Sequence, residues 1–298
     1  MQAKTPLTDD ERADKRAAEQ QLAADAVEQL RSSDGWQQWL QTRSRFHRYS
    51  FGNQMLIAFQ HPSATRTAGF RKWLELGYCV RKGEHGIRIW APCPPSKKQI
   101  AAASAADEAS PRVFFRLTAV FAQDQIAPLP DPAVQVPISV PIVEVTGDDL
   151  APMISPLVAF AHSIGSSVAF TSDGLGAALG SYALESQAIT VSDAQSINGQ
   201  AKVLVHEIAH ALVRADHQDS DPTLDYASEE LVVESVAMSV CGTLGLCTTG
   251  YSIPYLTSWS ESGKDHAALM AVITGTAKLV NRLACRIEDA AAPAVAVA

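Results

Sequence analysis

Leu22, Ala26 and Leu30 recur at helical intervals among charged and Gln residues, so the pattern predicts a leading helix over 5–31. Trp36, Trp39 and Leu40 repeat that spacing and predict a second helix. Ser50 is placed as the N-cap of a helix over 51–60 that stops before Pro62, and 71–76 reads as a short helix ended by Gly77. The period then falls to two. Residues 78–81 and 86–90 alternate like two strands around the turn Lys82-Gly83-Glu84-His85, and 113–120 resumes a strand pattern. Between them, 94–111 is rich in Ala, Ser and Lys and predicts a flexible excursion.

Pro128, Pro130, Pro132, Pro137 and Pro141 mark an extended linker. Beyond it the pattern predicts a helix over 149–165 and strands at 167–170 and 188–191. Gly174, Gly176 and Gly180 loosen the chain between those strands. Two apolar helices around His206 and Glu230 and a last helix over 265–287 complete the reading. The expected organisation is a first domain over 1–132, a Pro-rich linker over 133–145, a second domain over 146–289 and a disordered tail over 290–298. The fold class is α+β: an α+β domain followed by an α/β domain.

Composition narrows the setting. A chain of 298 residues, 47% hydrophobic, has material for two cores. No apolar run reaches the length of a membrane span, and the charged, Gln-rich N-terminus lacks a signal-peptide core, so no membrane is expected. Five scattered cysteines without zinc-finger spacing fit small core residues in a reducing cytoplasm. The net charge of −8 hides a division. Between Trp36 and Lys98, 11 basic residues face only Glu75 and Glu84, whereas from Ala101 onward 22 acidic residues outnumber 8 basic ones. Such segregation predicts that the first half meets an anion.

The chemistry concentrates in Val205-His206-Glu207-Ile208-Ala209-His210. Two His four residues apart lie one helical turn apart on one face and can share one zinc ion. Glu207 stands where a general base would take a proton from a water activated by the ion. The flanks, Val203 to Val205 and Ala211 to Val213, carry no charge, so this helix should be buried on most sides. Polar groups there need a partner. The run 226–238 supplies a third ligand, with Ser228 as N-cap and Glu230 and Glu234 on one face. Glu230 is assigned to the ion and Glu234 to a ligand His as an outer partner; the sequence leaves an exchange of those two roles open. Glu229 reads as a carboxylate at a solvated helix start, and Tyr226 or His217 as an oxyanion stabiliser. These motifs resemble zincin metallopeptidases of the gluzincin kind. There a His-Glu-x-x-His helix precedes one with Glu-x-x-x-Asp; here the second is Glu-x-x-x-Glu.

In the basic half, Arg66, Arg71, Lys72, Arg81, Lys82 and Arg88 interleave with Phe70, Trp73, Tyr78 and Trp90. Cations that follow phosphates and aromatic faces that stack bases suit single-stranded nucleic acid, although Phe70, Trp73 and Trp90 sit in apolar contexts that favour a core place over stacking. The series Trp39-Leu40, Tyr49-Ser50, Asn53, Gly69-Phe70, Trp73, Leu76-Gly77, Val80-Arg81-Lys82-Gly83-Glu84, Gly86-Ile87 and Pro92 resembles the N-terminal domain of ArdC-type antirestriction proteins. That resemblance implies single-stranded DNA binding, a following zincin-like domain with Zn²⁺, origin on a mobile element, and interference with restriction enzymes. The expected substrate is a DNA-bound or restriction-related protein. Two alternatives are a non-catalytic DNA binder with a structural zinc, and a regulator built on a zincin scaffold.

Overall fold

Helical and strand periods sort the chain into two units in a computed structural model that describes residues 9–93, 114–130, 147–246 and 266–295. One unit comprises 1–27 with 52–137, and the other 28–51 with 138–298. The excursion at 94–111 and the linker at 133–145 lie outside the described residues.

Among the described residues of the first unit, α1 (Asp9–Glu28), α3 (Phe51–Gln60) and α4 (Phe70–Glu75) accompany five strands. β3 (Ile87–Cys93) and β4 (Phe114–Ala122) pair antiparallel with Ile87 opposite Val120, and β1 (Thr67–Ala68) joins the far end of β4. The other side of β3 would present bare backbone. Two amides from α3 cover it. Asn53 exchanges hydrogen bonds of 2.8 and 2.7 Å with the Trp90 backbone, and Gln60 two of 2.9 Å with that of Arg88. Both amides therefore act as strand surrogates.

The two strands expected around Lys82-Gly83 do form, but they do not pair with each other. β2 (Tyr78–Val80) pairs with β5 (Ile126–Pro128), while β3 turns to β4. Buried Gln125 decides this. Its carbonyl accepts from the Ala122 amide, its NH₂ donates to the His85 carbonyl at 2.8 Å, and its backbone carbonyl accepts from Arg81 N. Trp73, 2% exposed, belongs to the core and donates its indole N–H to the Phe121 carbonyl.

In the second unit, β6 (Ser167–Phe170) runs parallel to β8 (Ala188–Val191), and β7 (Gly180–Ala183) lies antiparallel on the other side of β8. β7 was not expected, because Gly-rich spacing masked it. Helices α2 (Ser33–Arg45), α5 (Ala151–Ser163), α6 (Ile197–Ala215), α7 (Tyr226–Thr243) and α8 (His266–Val295) pack around one core. Trp36 and Trp39 of α2 are fully buried, and the Trp36 indole donates to Ser235 Oγ of α7 at 3.0 Å. Arg43, wholly buried, is held by both oxygens of Glu288, by Ser239 and by Asn281.

Helix α8 departs from two expectations. It continues through 290–295, where the Ala-rich run is helix-favouring, so the tail predicted as disordered is helical through Val295. Its segment Ala267–Ala291 is also long and apolar enough, by length and composition, to cross a membrane. It is a core helix of this unit, with Ile273, Ala277, Val280, Leu283, Ala284 and Ile287 fully buried.

Candidate metal centre

Ser196 caps α6, its side chain accepting from Gly199 N, and the apolar face carrying Leu204, Val205, Ile208, Ala211 and Leu212 anchors that helix in the core. Asp225 rather than the expected Ser228 caps α7, accepting from Ser228 N at 2.8 Å; the helix starts one turn earlier than the sequence suggests. Buried Leu231, Val232, Val233 and Val236 leave Glu229, Glu230 and Glu234 for the face that meets α6.

Among the described residues one group of donors lies close enough together to hold an ion: His206, His210 and Glu230, with ligand atoms within 4.8 Å of one another. Glu230 reaches both rings, with its oxygens 3.9 Å from His206 Nε2 and 3.5 Å from His210 Nε2. Ligands on a tetrahedral zinc stand about 3.3 Å apart, so the donor set fits after small side-chain adjustments. The two Nδ1 atoms are otherwise engaged. His206 Nδ1 is 3.1 Å from Glu234, and His210 Nδ1 is 2.9 Å from Glu229. Glu234 thus stands where an outer carboxylate was expected. Glu229, read from sequence as a capping residue, has a place of its own.

Glu207 lies beside this group, 6% exposed, with no hydrogen-bond partner for its carboxylate among the described residues. Burial pushes its pKa up to about 7, against the attraction of His206 and with the help of Glu230. Burial disfavours charge on His206, but the Glu234 hydrogen bond and the charges of Glu207, Glu234 and Glu230 outweigh it and raise that pKa. The Glu234 carboxyl is held below its ordinary range by the His206 hydrogen bond, against burial. A cleft of about 360 Å³ opens onto these groups, lined also by Gly180, Ser181 and Tyr182 of β7 and by Tyr226 and Arg214. Tyr226 therefore stands at the cleft, whereas His217 lines a neighbouring cavity. Sequence reasoning missed Tyr182 and Gly180 along with β7 itself.

The six cations expected to meet DNA all belong to the first unit. Arg66, Arg71, Lys72, Arg81 and Lys82 are exposed and Arg88 is half-buried. Lys72 pairs with Glu75, Arg81 with Glu84, and Arg88 with Glu19.

Residues 16–121 match the family profile described as the N-terminal domain of anti-restriction factor ArdC. Beyond this stretch, the chain's likeness to ArdC is one of fold. Its fold is that of ArdC across most of its length. The Mn(II)-bound crystal structure of antirestriction protein ArdC from plasmid R388 superposes over 91% of this chain and 98% of that one, with a TM-score of 0.53 and 20% identity. The metal-free structure of the same protein gives a TM-score of 0.45 at 22% identity, over 80% and 82% of the two chains. An uncharacterized Bacillus anthracis protein, pXO2-81, is 22% identical over 83% of this chain, which spans about half (47%) of that relative's length.

Proposed function

We propose that this ArdC-type chain is a cytoplasmic antirestriction protein that binds single-stranded DNA through its first unit and acts as a zinc metallopeptidase through its second. The observation that carries the enzymatic part is the convergence of His206, His210 and Glu230 beside a buried Glu207 whose carboxylate has no hydrogen-bond partner among the described residues. Imidazole and carboxylate together suit zinc, although Mn(II) bound in ArdC of R388 shows that another divalent ion is compatible with the fold. The ion, when bound, supplies Lewis-acid polarisation of a carbonyl and acidifies water. Glu207 accepts a proton from water in the cleft as it attacks the peptide carbonyl, and returns it to the departing amine. Tyr226 at the cleft rim is the oxyanion donor of this scheme. A protein bound on or near DNA is the substrate class that the two units together suit.

Glu207→Gln keeps the shape of the side chain and removes the base. The expected result is full metal content by elemental analysis, with peptide cleavage and antirestriction activity reduced about 10²- to 10⁴-fold. Antirestriction activity equal to wild type in this variant would end the peptidase reading and leave a DNA binder with a structural ion.

A further inference from the structure

Helix α6 carries Lys202, His206, His210 and Arg214 at four-residue intervals, which places them on one face. Against that face α7 sets Glu234, Glu230 and Glu229. Lys202 Nζ lies 4.0 Å from Glu234, the carboxylate that touches His206. At the other end Arg214 grips both oxygens of Glu229, at 2.7 and 3.1 Å, and donates to the His210 carbonyl at 3.1 Å. Each imidazole therefore meets a carboxylate through Nδ1, and each carboxylate is backed by a cation of the same helix.

We propose that Glu229, fixed by Arg214, is a positioning residue that holds the proton of His210 on Nδ1 and leaves Nε2 free for the ion. This rests on the metal-centre reading above. A neutral imidazole carries one N–H, and an ionised carboxylate only accepts, so a carboxylate 2.9 Å from Nδ1 selects the tautomer with the proton there. The Nε2 lone pair then faces Glu230. Arg214 matters because its planar fork binds both carboxylate oxygens at once and so fixes the orientation of Glu229.

A plain ion pair between helices would also join Arg214 to Glu229, and the tautomer separates the two roles. Glu229→Leu removes the acceptor at Nδ1 and leaves Glu230, beside Nε2, to draw the proton there. NMR of the full-length, metal-free protein with nitrogen-labelled histidine, at alkaline pH, reads the position of that proton. The wild type should show His210 protonated at Nδ1 and the Leu variant at Nε2. Competition with a chelator should show Mn²⁺ and Zn²⁺ bound about 10- to 100-fold more weakly by Glu229→Leu. Glu229→Asp should recover the wild-type tautomer and part of the affinity, and it carries the test if the Leu variant does not fold. Unchanged tautomer and unchanged ion affinity in Glu229→Leu would overturn the positioning role alone. Wild-type protein that binds neither ion would overturn the metal-centre reading beneath it.

Discussion

A methyl group on Gly180 would collide with a methyl of Val203 and stand 2.9 Å from Glu207 Oε1. The missing side chain is what lets β7 lie against the base. Gly180→Ala should therefore destabilise the protein by about 1–3 kcal/mol, as overpacking does. Urea unfolding measures this, and a midpoint equal to wild type would mean that β7 moves aside freely. His206, Glu207 and His210 were legible because their spacing alone puts two imidazoles on one turn. Glu229 was not legible. It adjoins Glu230 in sequence, and only the orientation of α7 against α6 decides which carboxylate meets which ring nitrogen. Gly180 was hidden for a similar reason, since no local period tells that a strand glycine touches a helix carboxylate.

Between α6 and α7 the chain runs through 216–225, and α8 holds this loop by two arginines. Arg282 binds Asp216 at 3.1 Å and Asp221 at 2.8 and 2.7 Å, while Arg286 adds a second grip on Asp216. The loop sets how the two ligand-bearing helices meet, so this clamp supports the candidate centre from outside it. The Arg282 hydrogen bond holds the Asp221 carboxyl below its ordinary value of 3.8, against burial. A lowered folded pKa adds stability that is present above that ordinary value and is lost as the pH falls through the folded one. Wild type should thus unfold at higher temperature than Asp221→Asn near neutrality, and the gap should close in strong acid. A constant gap across that range would assign the effect of the substitution to packing. At this scale helices were the legible elements, because their apolar faces repeat over many residues. Strand pairing was not, since the partner of β2 depends on Gln125, more than forty residues away.

Charge divides along the chain much as the units do, with the six expected DNA-binding cations in the first and the acidic centre in the second. Exposed ion pairs such as Lys72–Glu75 contribute about 0–1 kcal/mol, so phosphates can replace the carboxylates at little cost. Binding of the full chain to a single-stranded oligonucleotide should weaken steeply with salt, log K falling by about 0.7 per phosphate contact for each tenfold rise. Replacing Arg66, Arg71 and Lys82 together should flatten that slope; affinity indifferent to salt would remove the nucleic-acid reading. The allegiance of α2 could not be read from the sequence, where it follows α1 without any break. Long-range burial of Trp36 and Trp39 places 28–51 with the second unit, although the matched profile runs straight through it.

That placement has a consequence for biosynthesis. Trp36 leaves the ribosome 199 residues ahead of Ser235, its hydrogen-bond partner. At about 5–20 residues per second, α2 waits roughly 10–40 s for α7 to emerge. During that interval two indoles stand without their final cover.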